Sequence, residues 1–204
     1  YFLKNPPDVY LAIDAPDCNL PIELALKRAR IPTIHCNSPT IWAWRYKRIF
    51  KIKAAVDLML TLFPFEPPYY EAEKIAVRYI GHPLADQIPL EIDVEAARKT
   101  LGLDPQQKLL ALLPGSRQGE IKYLGPLLLE TAKIFHQRHP EVSFVSPMVN
   151  AKIHQQFAQL HTRLAPKLPL KLIQGQAAQV LAAADLVAVT SGTATLETLL
   201  YKKP

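Results

Sequence analysis

Cysteine is scarce in this chain: Cys18 and Cys36 are the two among 204 residues. Two thiols do not make a disulfide framework, so a reducing compartment is the simpler expectation, although the pair is free to meet in space. Long apolar runs are missing as well. The longest uncharged stretches are broken by Pro114, Arg117 and Asp185 before reaching the roughly 18 apolar residues of a membrane span, and nothing resembles a secretory signal. A soluble chain is expected. No Gly-x-Gly-x-x-Gly and no Gly-Lys-Ser/Thr phosphate loop occurs, which counts against dehydrogenase and kinase readings. The nearest approach to a Gly-x-Ser-x-Gly nucleophile elbow has Pro114 in place of its first Gly. The six histidines are scattered, and His136 with His139 has no carboxylate cluster beside it, so a solvated helix face explains that pair better than a metal. The chain also lacks an initiating Met. It opens on Tyr1-Phe2-Leu3-Lys4 and closes on Tyr201-Lys202-Lys203-Pro204, which reads as an internal segment of something longer.

What is present is a chain that is 49% apolar, enough to bury a sizeable core in one large domain or two small ones. The net charge of +6 favours an anionic partner: phosphate esters, an acidic membrane surface or nucleic acid. Runs rich in Val, Ile and Leu alternate with longer stretches of helical spacing, the pattern of parallel strands joined by crossover helices, so the class is α/β. Strands are expected over 9–13, 33–35, 56–61, 77–80, 109–113, 143–146, 170–173 and 186–189. Helices are expected over 20–29, 42–53, 94–101, 121–138, 151–164, 177–183 and 195–201. Residues 81–107, with Pro83, Pro89 and Pro105, read as a connection between a unit at 1–80 and another at 108–204.

Ligands of open parallel sheets bind at the carboxyl ends of the strands. Four stretches fall there. Pro114-Gly115-Ser116-Arg117 precedes a long helix, and its backbone N–H groups with Arg117 suit a phosphate at a positive helix end; an unliganded strand-to-helix turn is the plain alternative. Thr190-Ser191-Gly192-Thr193 repeats the arrangement, with Glu197 one turn on to accept from ribose hydroxyls or simply to sit well in the first turns of a helix. Asp14-Ala-Pro-Asp17 ends the first apolar run. Asn19 can cap the following helix and Pro21 fits its first turn, which leaves Asp14 to serve as a general base toward a hydroxyl nucleophile. The pair Asp14 and Asp17 has no evident third ligand for a cation. The fourth stretch is Ser38-Pro39 with Trp42-Ala-Trp44-Arg45.

In order, Ile13-Asp-Ala-Pro-Asp17, Ser38-Pro-Thr-Ile-Trp-Ala-Trp-Arg45, Phe63-Pro-Phe-Glu66, Gly81-His82 with Ala85-Asp86, Pro114-Gly-Ser-Arg117, Val149-Asn-Ala151 and Ser191-Gly-Thr-Ala194 with Leu196-Glu197 resemble the lipid-A-disaccharide synthase family, inverting glycosyltransferases of the GT-B type. The resemblance covers nearly the whole chain. It implies two facing Rossmann-like domains, both incomplete here, and transfer of 2,3-diacylglucosamine from its UDP-linked donor to 2,3-diacylglucosamine 1-phosphate. A β-1,6 disaccharide forms and UDP leaves, with no metal or other cofactor. It assigns Asp14 as the base for the acceptor hydroxyl. UDP falls to Gly115, Ser116, Arg117, Ser191, Gly192, Thr193 and Glu197, with Gln174 and Gly175 as candidates near uracil. Ser38, Trp42, Trp44 and Arg45 are placed on the acceptor or membrane side. The implied setting is cytoplasmic and peripheral on an anionic inner membrane, as a homodimer in the full-length protein, with no nucleic acid partner. Cys18 stands where the family usually has an aromatic residue, and Cys36-Asn37 where Tyr-Val is usual.

Two rival readings stand beside this one. Another GT-B-type UDP-sugar enzyme, a peptidoglycan glycosyltransferase or a UDP-sugar 2-epimerase, would share the nucleotide half but not the motifs at 38–45 and 63–66. A non-catalytic membrane or nucleic-acid module could use the basic and aromatic run 42–53, whose plainest account is a solvated cationic helix.

Overall fold

The computed structural model describes residues 1–204, which form two compact units, Tyr1–Asp86 and Gln87–Pro204. No helix is long and apolar enough to cross a membrane.

The first unit carries β1 (Tyr10–Ile13), α1 (Pro16–Arg28), β2 (Thr33–Cys36), α2 (Arg48–Ala55), β3 (Leu58–Thr61), α3 (Pro67–Ala72), β4 (Val77–Tyr79) and, at its end, α4 (Pro83–Gln87). Its strands are all parallel, in the order β1-β2-β3-β4. Successive right-handed crossovers that keep stepping the same way lay their helices on one face. That face holds the core, where Leu20 of α1, Ile49 and Ile52 of α2 and Tyr70 of α3 pack with Met59 of β3. Strand alternation decides which residues join it: Thr33 and His35 of β2, and Met59 and Thr61 of β3, point inward and are fully buried.

One buried pair is polar. Glu23 of α1 meets Nδ1 of His35 at 2.8 Å with both side chains fully buried. Glu23 Oε2, His35 Nε2 and Thr61 Oγ1 have no hydrogen-bond partner in the protein. The pair ties the middle of α1 to β2, and removing one partner leaves the other buried without its contact.

The second unit carries α5 (Val94–Thr100), β5 (Lys108–Leu113), α6 (Gln118–Arg138), β6 (Val142–Met148), α7 (Ala151–Leu164), β7 (Leu170–Gln174), α8 (Ala177–Ala183), β8 (Leu186–Val189) and α9 (Thr193–Leu200). Its strands are parallel in the order β7-β6-β5-β8. The chain steps outward from β5 to β7 and then returns past β5 to place β8 on the other side. This reversal puts helices on both faces. Leu110 and Leu112 of β5 join Ile121 and Leu129 of α6 and Phe157 of α7, whereas Leu109, Ala111 and Leu113 join Val180 and Leu181 of α8 and Ala97 of α5. Gly125 lets α6 lie close on α7, since a Cβ there would meet Leu160 at 3.1 Å and Phe157 at 3.4 Å.

All eight expected strands are present, and the α/β class with two parallel sheets is as read from the sequence. Several helices differ. α1 starts at Pro16 rather than after Asn19: Pro16 suits a first helical position, and Pro21, which has no N–H to donate, is absorbed inside the helix. α2 starts at Arg48, not Trp42, because Arg45 adopts φ 55°, which a right-handed helix cannot contain. The short helices α3 and α4 were not expected. Residues 81–107 are shared between the units, and α5 is bound into the second. Arg98 Nε donates to the Ala183 carbonyl at 3.0 Å and its Nη2 to Asp185 Oδ2 at 2.9 Å, while that same oxygen accepts from Leu109 N at 2.8 Å.

Replacing His35 by Leu strands the Glu23 carboxylate and should lower the unfolding free energy of the first unit by about 3 to 5 kcal/mol in urea titrations. Adding Glu23→Leu should restore most of that loss; a double variant as unstable as the single one would remove the pair's role.

Candidate functional site

Two groups of the expected residues are assembled, each within its own unit. In the second unit the reversal of strand order falls at β5, with β6 on one side and β8 on the other, and the loops that leave β5 and β8 border a cleft of about 520 Å³. Gly115, Ser116 and Arg117 come from the first loop, Ser191 and Gly192 from the second, and Thr193 and Glu197 from α9, which follows it. Gly175 borders it from the loop after β7. Ser191, Gly192 and Thr193 are exposed, and Thr193 opens α9, where Thr195 N–H donates to the Gly192 carbonyl at 3.1 Å and the N–H groups of Thr193 and Ala194 are left at the helix start. Thr195 folds back on this turn, its hydroxyl donating to the Gly192 carbonyl at 2.6 Å.

The loop after β5 is not an open nest of amides. Glu120 turns back from the first turn of α6, and its Oε2 accepts from Ser116 N at 2.8 Å and Arg117 N at 3.1 Å. Its Oε1 accepts from the Arg117 guanidinium at 2.9 Å. The backbone donors expected to meet a phosphate are thus already taken by a carboxylate. What this loop offers a ligand is the Arg117 side chain, 82% exposed, held in place by its own helix. Gly115 is required here for two reasons: its φ is 108°, and a Cβ would collide with Glu120. Sequence reading missed Glu120, yet the signal was present, since an acid three residues past a helix start is half of a capping box.

Gln174 does not border the cleft. It pairs in register with Met148 at the end of β7, its side chain exposed elsewhere. The chain then passes through two left-handed residues, Gly175 at φ 68° and Gln176 at φ 55°, and it is Gln176 that borders the cleft. Gln174 is a candidate by sequence because its segment leads into a helix; the turn that follows the strand puts its neighbours Gly175 and Gln176 on the cleft.

In the first unit Asp14 ends β1. Its N–H donates to the Cys36 carbonyl at 2.9 Å, extending the pairing with β2, and its own carbonyl accepts from Asn19 Nδ2 at 2.7 Å. Asn19 therefore secures the turn from inside α1 rather than capping it. Asp14 and Ala15 are both left-handed, at φ 55° and 45°, and the Asp14 carboxylate is exposed. Asp17 has a partner, Arg48 Nη2 at 2.6 Å.

The stretches at 38–45, 63–66 and 81–82 converge. Trp42 stands edge-on to Phe65 at 5.1 Å between ring centres, Phe65 stacks on Phe63 at 5.5 Å, and Phe63 lies 5.8 Å from His82. Trp44 donates to Thr40 Oγ1 at 2.8 Å, and the Arg45 guanidinium sits 4.2 Å over its ring. Trp42, Trp44 and Arg45 are exposed. Ser38 is not. It is buried, with its hydroxyl 2.6 Å from that of Tyr70, so it anchors the loop rather than facing a ligand. Burial pushes the Tyr70 phenol up to about 12, which keeps it protonated in that contact.

The Ser116 N–H first, then the Arg117 N–H and guanidinium, hold the Glu120 carboxyl below its ordinary value. Because the folded value is depressed, these bonds persist as pH falls through the usual Glu range near about 4.3 and break only below it. Carbon NMR of the Glu120 carboxyl should show that lowered midpoint, and a midpoint at or above the ordinary value would mean that the carboxylate does not occupy the loop.

A family model described as lipid-A-disaccharide synthetase matches residues 1–204. The chain is 47% identical over 204 residues to a lipid-A-disaccharide synthase of Aeromonas hydrophila, covering 100% of this chain and 54% of that protein. It is 51% identical over 203 residues to the enzyme of the same name from Azotobacter vinelandii, covering 99% and 53%. It thus spans about half the length of the curated relatives it matches. Among solved structures, S. aureus MnaA with UDP aligns at TM-score 0.65 and 13% identity, covering 100% of this chain and 57% of that one. UDP-N-acetylglucosamine 2-epimerase from Rickettsia bellii aligns at 0.61 and 17%, covering 100% and 56%. At those identities the likeness is one of fold, whereas the family match rests on sequence along the whole chain. With a family model matching residues 1–204 and about half of its residues identical to such relatives, the chain belongs to the lipid-A-disaccharide synthetase family.

Proposed function

We propose that the full-length protein transfers 2,3-diacylglucosamine from its UDP-linked donor to 2,3-diacylglucosamine 1-phosphate, forming the β-1,6 disaccharide and releasing UDP. The observation that carries this reading is the cleft at the strand-order reversal of the second unit, where Arg117 from the loop after β5 meets Ser191, Thr193 and Glu197 from the loop after β8 and α9.

The chemistry assigned to these residues follows from their placement. Departure of UDP develops negative charge on its diphosphate. The Arg117 guanidinium, steadied by Glu120, and the first-turn N–H groups of α9 with the Ser191 and Thr193 hydroxyls answer that charge. Glu197, half-buried one turn into α9, takes the ribose hydroxyls. The uracil side falls to Gly175 and Gln176. Asp14, exposed at the end of β1 with its backbone fixed from two sides, takes the proton from the acceptor's 6-hydroxyl as that oxygen attacks the anomeric carbon. Attack opposite to the leaving UDP inverts the anomeric centre.

The exposed Trp42, Trp44, Arg45 and Phe65 support peripheral association with an anionic membrane, because aromatic rings beside cations suit a headgroup layer. A homodimer of the full-length protein belongs to the same reading.

Arg117→Ala should weaken UDP binding by roughly 1.5 to 3 kcal/mol, the scale of a hydrogen bond to a charged group, when full-length protein is titrated calorimetrically. Unchanged affinity would take Arg117 out of the site. Asp14→Asn retains shape and removes basicity, so turnover should fall by roughly 10²- to 10⁴-fold while UDP affinity and melting temperature hold. Normal turnover in that folded variant would leave Asp14 a purely structural residue.

A further inference from the structure

A second and larger cavity lies wholly in the first unit, a groove of about 1000 Å³ between α1 and α2. Its floor is apolar: Leu20, Pro21 and Leu24 from one helix face Phe50, Ala54 and Ala55 from the other. Leu20 and Ala55 belong to the core, so the floor is as rigid as the sheet beneath it. Phe50 is 54% exposed, a large ring left in water beside the groove. The rim is cationic. Arg45, Lys47, Arg48 and Lys51 border the groove, against one carboxylate, Asp17, which Arg48 already engages.

An apolar channel of this size under a cationic rim is complementary to an anionic amphiphile, with hydrocarbon inside and phosphate at the edge. Position narrows the choice. One end of the groove is formed by Pro16 and Asp17, immediately after the turn that presents Asp14, and the floor runs along α1 from Asp17 to Leu24, about 10 Å at 1.5 Å per residue. A ligand lying there comes close to the residue assigned as base, which must meet the acceptor and not the donor.

We infer that this groove holds one acyl chain of the acylated sugar 1-phosphate acceptor, with the phosphate against the rim formed by Arg45, Lys47 and Lys51. The inference rests on the acceptor reading above and adds the subsite that reads the lipid. The side chain of Ala54 is exposed on the groove, outside the core, so it can be enlarged without disturbing packing.

The test uses full-length protein, the acylated sugar 1-phosphate and glucosamine 1-phosphate, which lacks the chains. Ala54→Trp should lower kcat/KM for the acylated acceptor by at least about tenfold, mainly through KM, since a side chain occupying an apolar subsite excludes a ligand methylene by method of space. Binding of glucosamine 1-phosphate and of UDP should not change, and Ala54→Ser should behave as the parent. Lys47→Glu with Lys51→Glu should weaken both sugar phosphates. An unchanged kcat/KM in folded Ala54→Trp, or an equal fall for both acceptors, overturns the inference. So does loss of sedimentation with phosphatidylglycerol vesicles while acceptor binding is intact, which would make the groove a bilayer contact. A parent enzyme that turns over no acceptor refutes the proposed reaction, and direct binding of the acylated sugar phosphate, with and without Ala54→Trp, still decides the groove.

Discussion

The position of β5 in its sheet is the constraint on which the cleft of the second unit depends. A parallel strand must be followed by a crossover helix, and the chain uses two such steps to move from β5 out to β7 before returning past β5 to lay down β8. Loops leaving the carboxyl ends of β5 and β8 therefore diverge to opposite faces, and the space between them is the cleft. Alternation along β5 supports both directions at once, since Leu110 and Leu112 serve one core and Leu109, Ala111 and Leu113 the other. The Asp185 carboxylate, shared between Arg98 and the Leu109 N–H, joins the approach to β8 to the start of β5 and so helps set the two loops against each other.

Within that frame the charges are arranged by competition. A carboxylate and a phosphate seek the same donors, and in the loop after β5 the carboxylate of Glu120 has them. The consequence is a division of labour between two loops that look alike in sequence. One holds a guanidinium at the mouth of the cleft; the other leaves the start of α9 exposed. Gly115 belongs to this arrangement through the space it leaves for Glu120 as much as through its φ.

The first unit meets a different demand, that of holding exposed side chains steady on a small sheet. Its strand order never reverses, so its helices share one face. The buried Glu23 and His35 couple α1 to β2 beneath the groove, and the same helix fixes Asp14 through Asn19. The aromatic contacts from Trp42 to Phe63 and on to His82 link the loops after β2, β3 and β4, so residues far apart in the chain form one surface.

Read alone, the sequence determined the strands, the α/β class, the order of the motifs and the placing of Asp14 and Arg117 at strand ends. These are properties of local pattern: buried strands are runs of Val, Ile and Leu, and Pro, Gly and Asp mark where they stop. It did not determine which side chains would remain available. Ser38 is buried against Tyr70, Gln174 yields its place to Gln176, the helix expected from Trp42 begins only at Arg48, and Glu120 occupies the donors of a loop read as empty. Each outcome was decided between partners on different elements, or by left-handed residues such as Arg45 and Gln176 that no periodicity announces. The groove between α1 and α2 is of the same kind. Its floor and its cationic rim come from helices separated by a strand, so only the tertiary structure could bring them face to face.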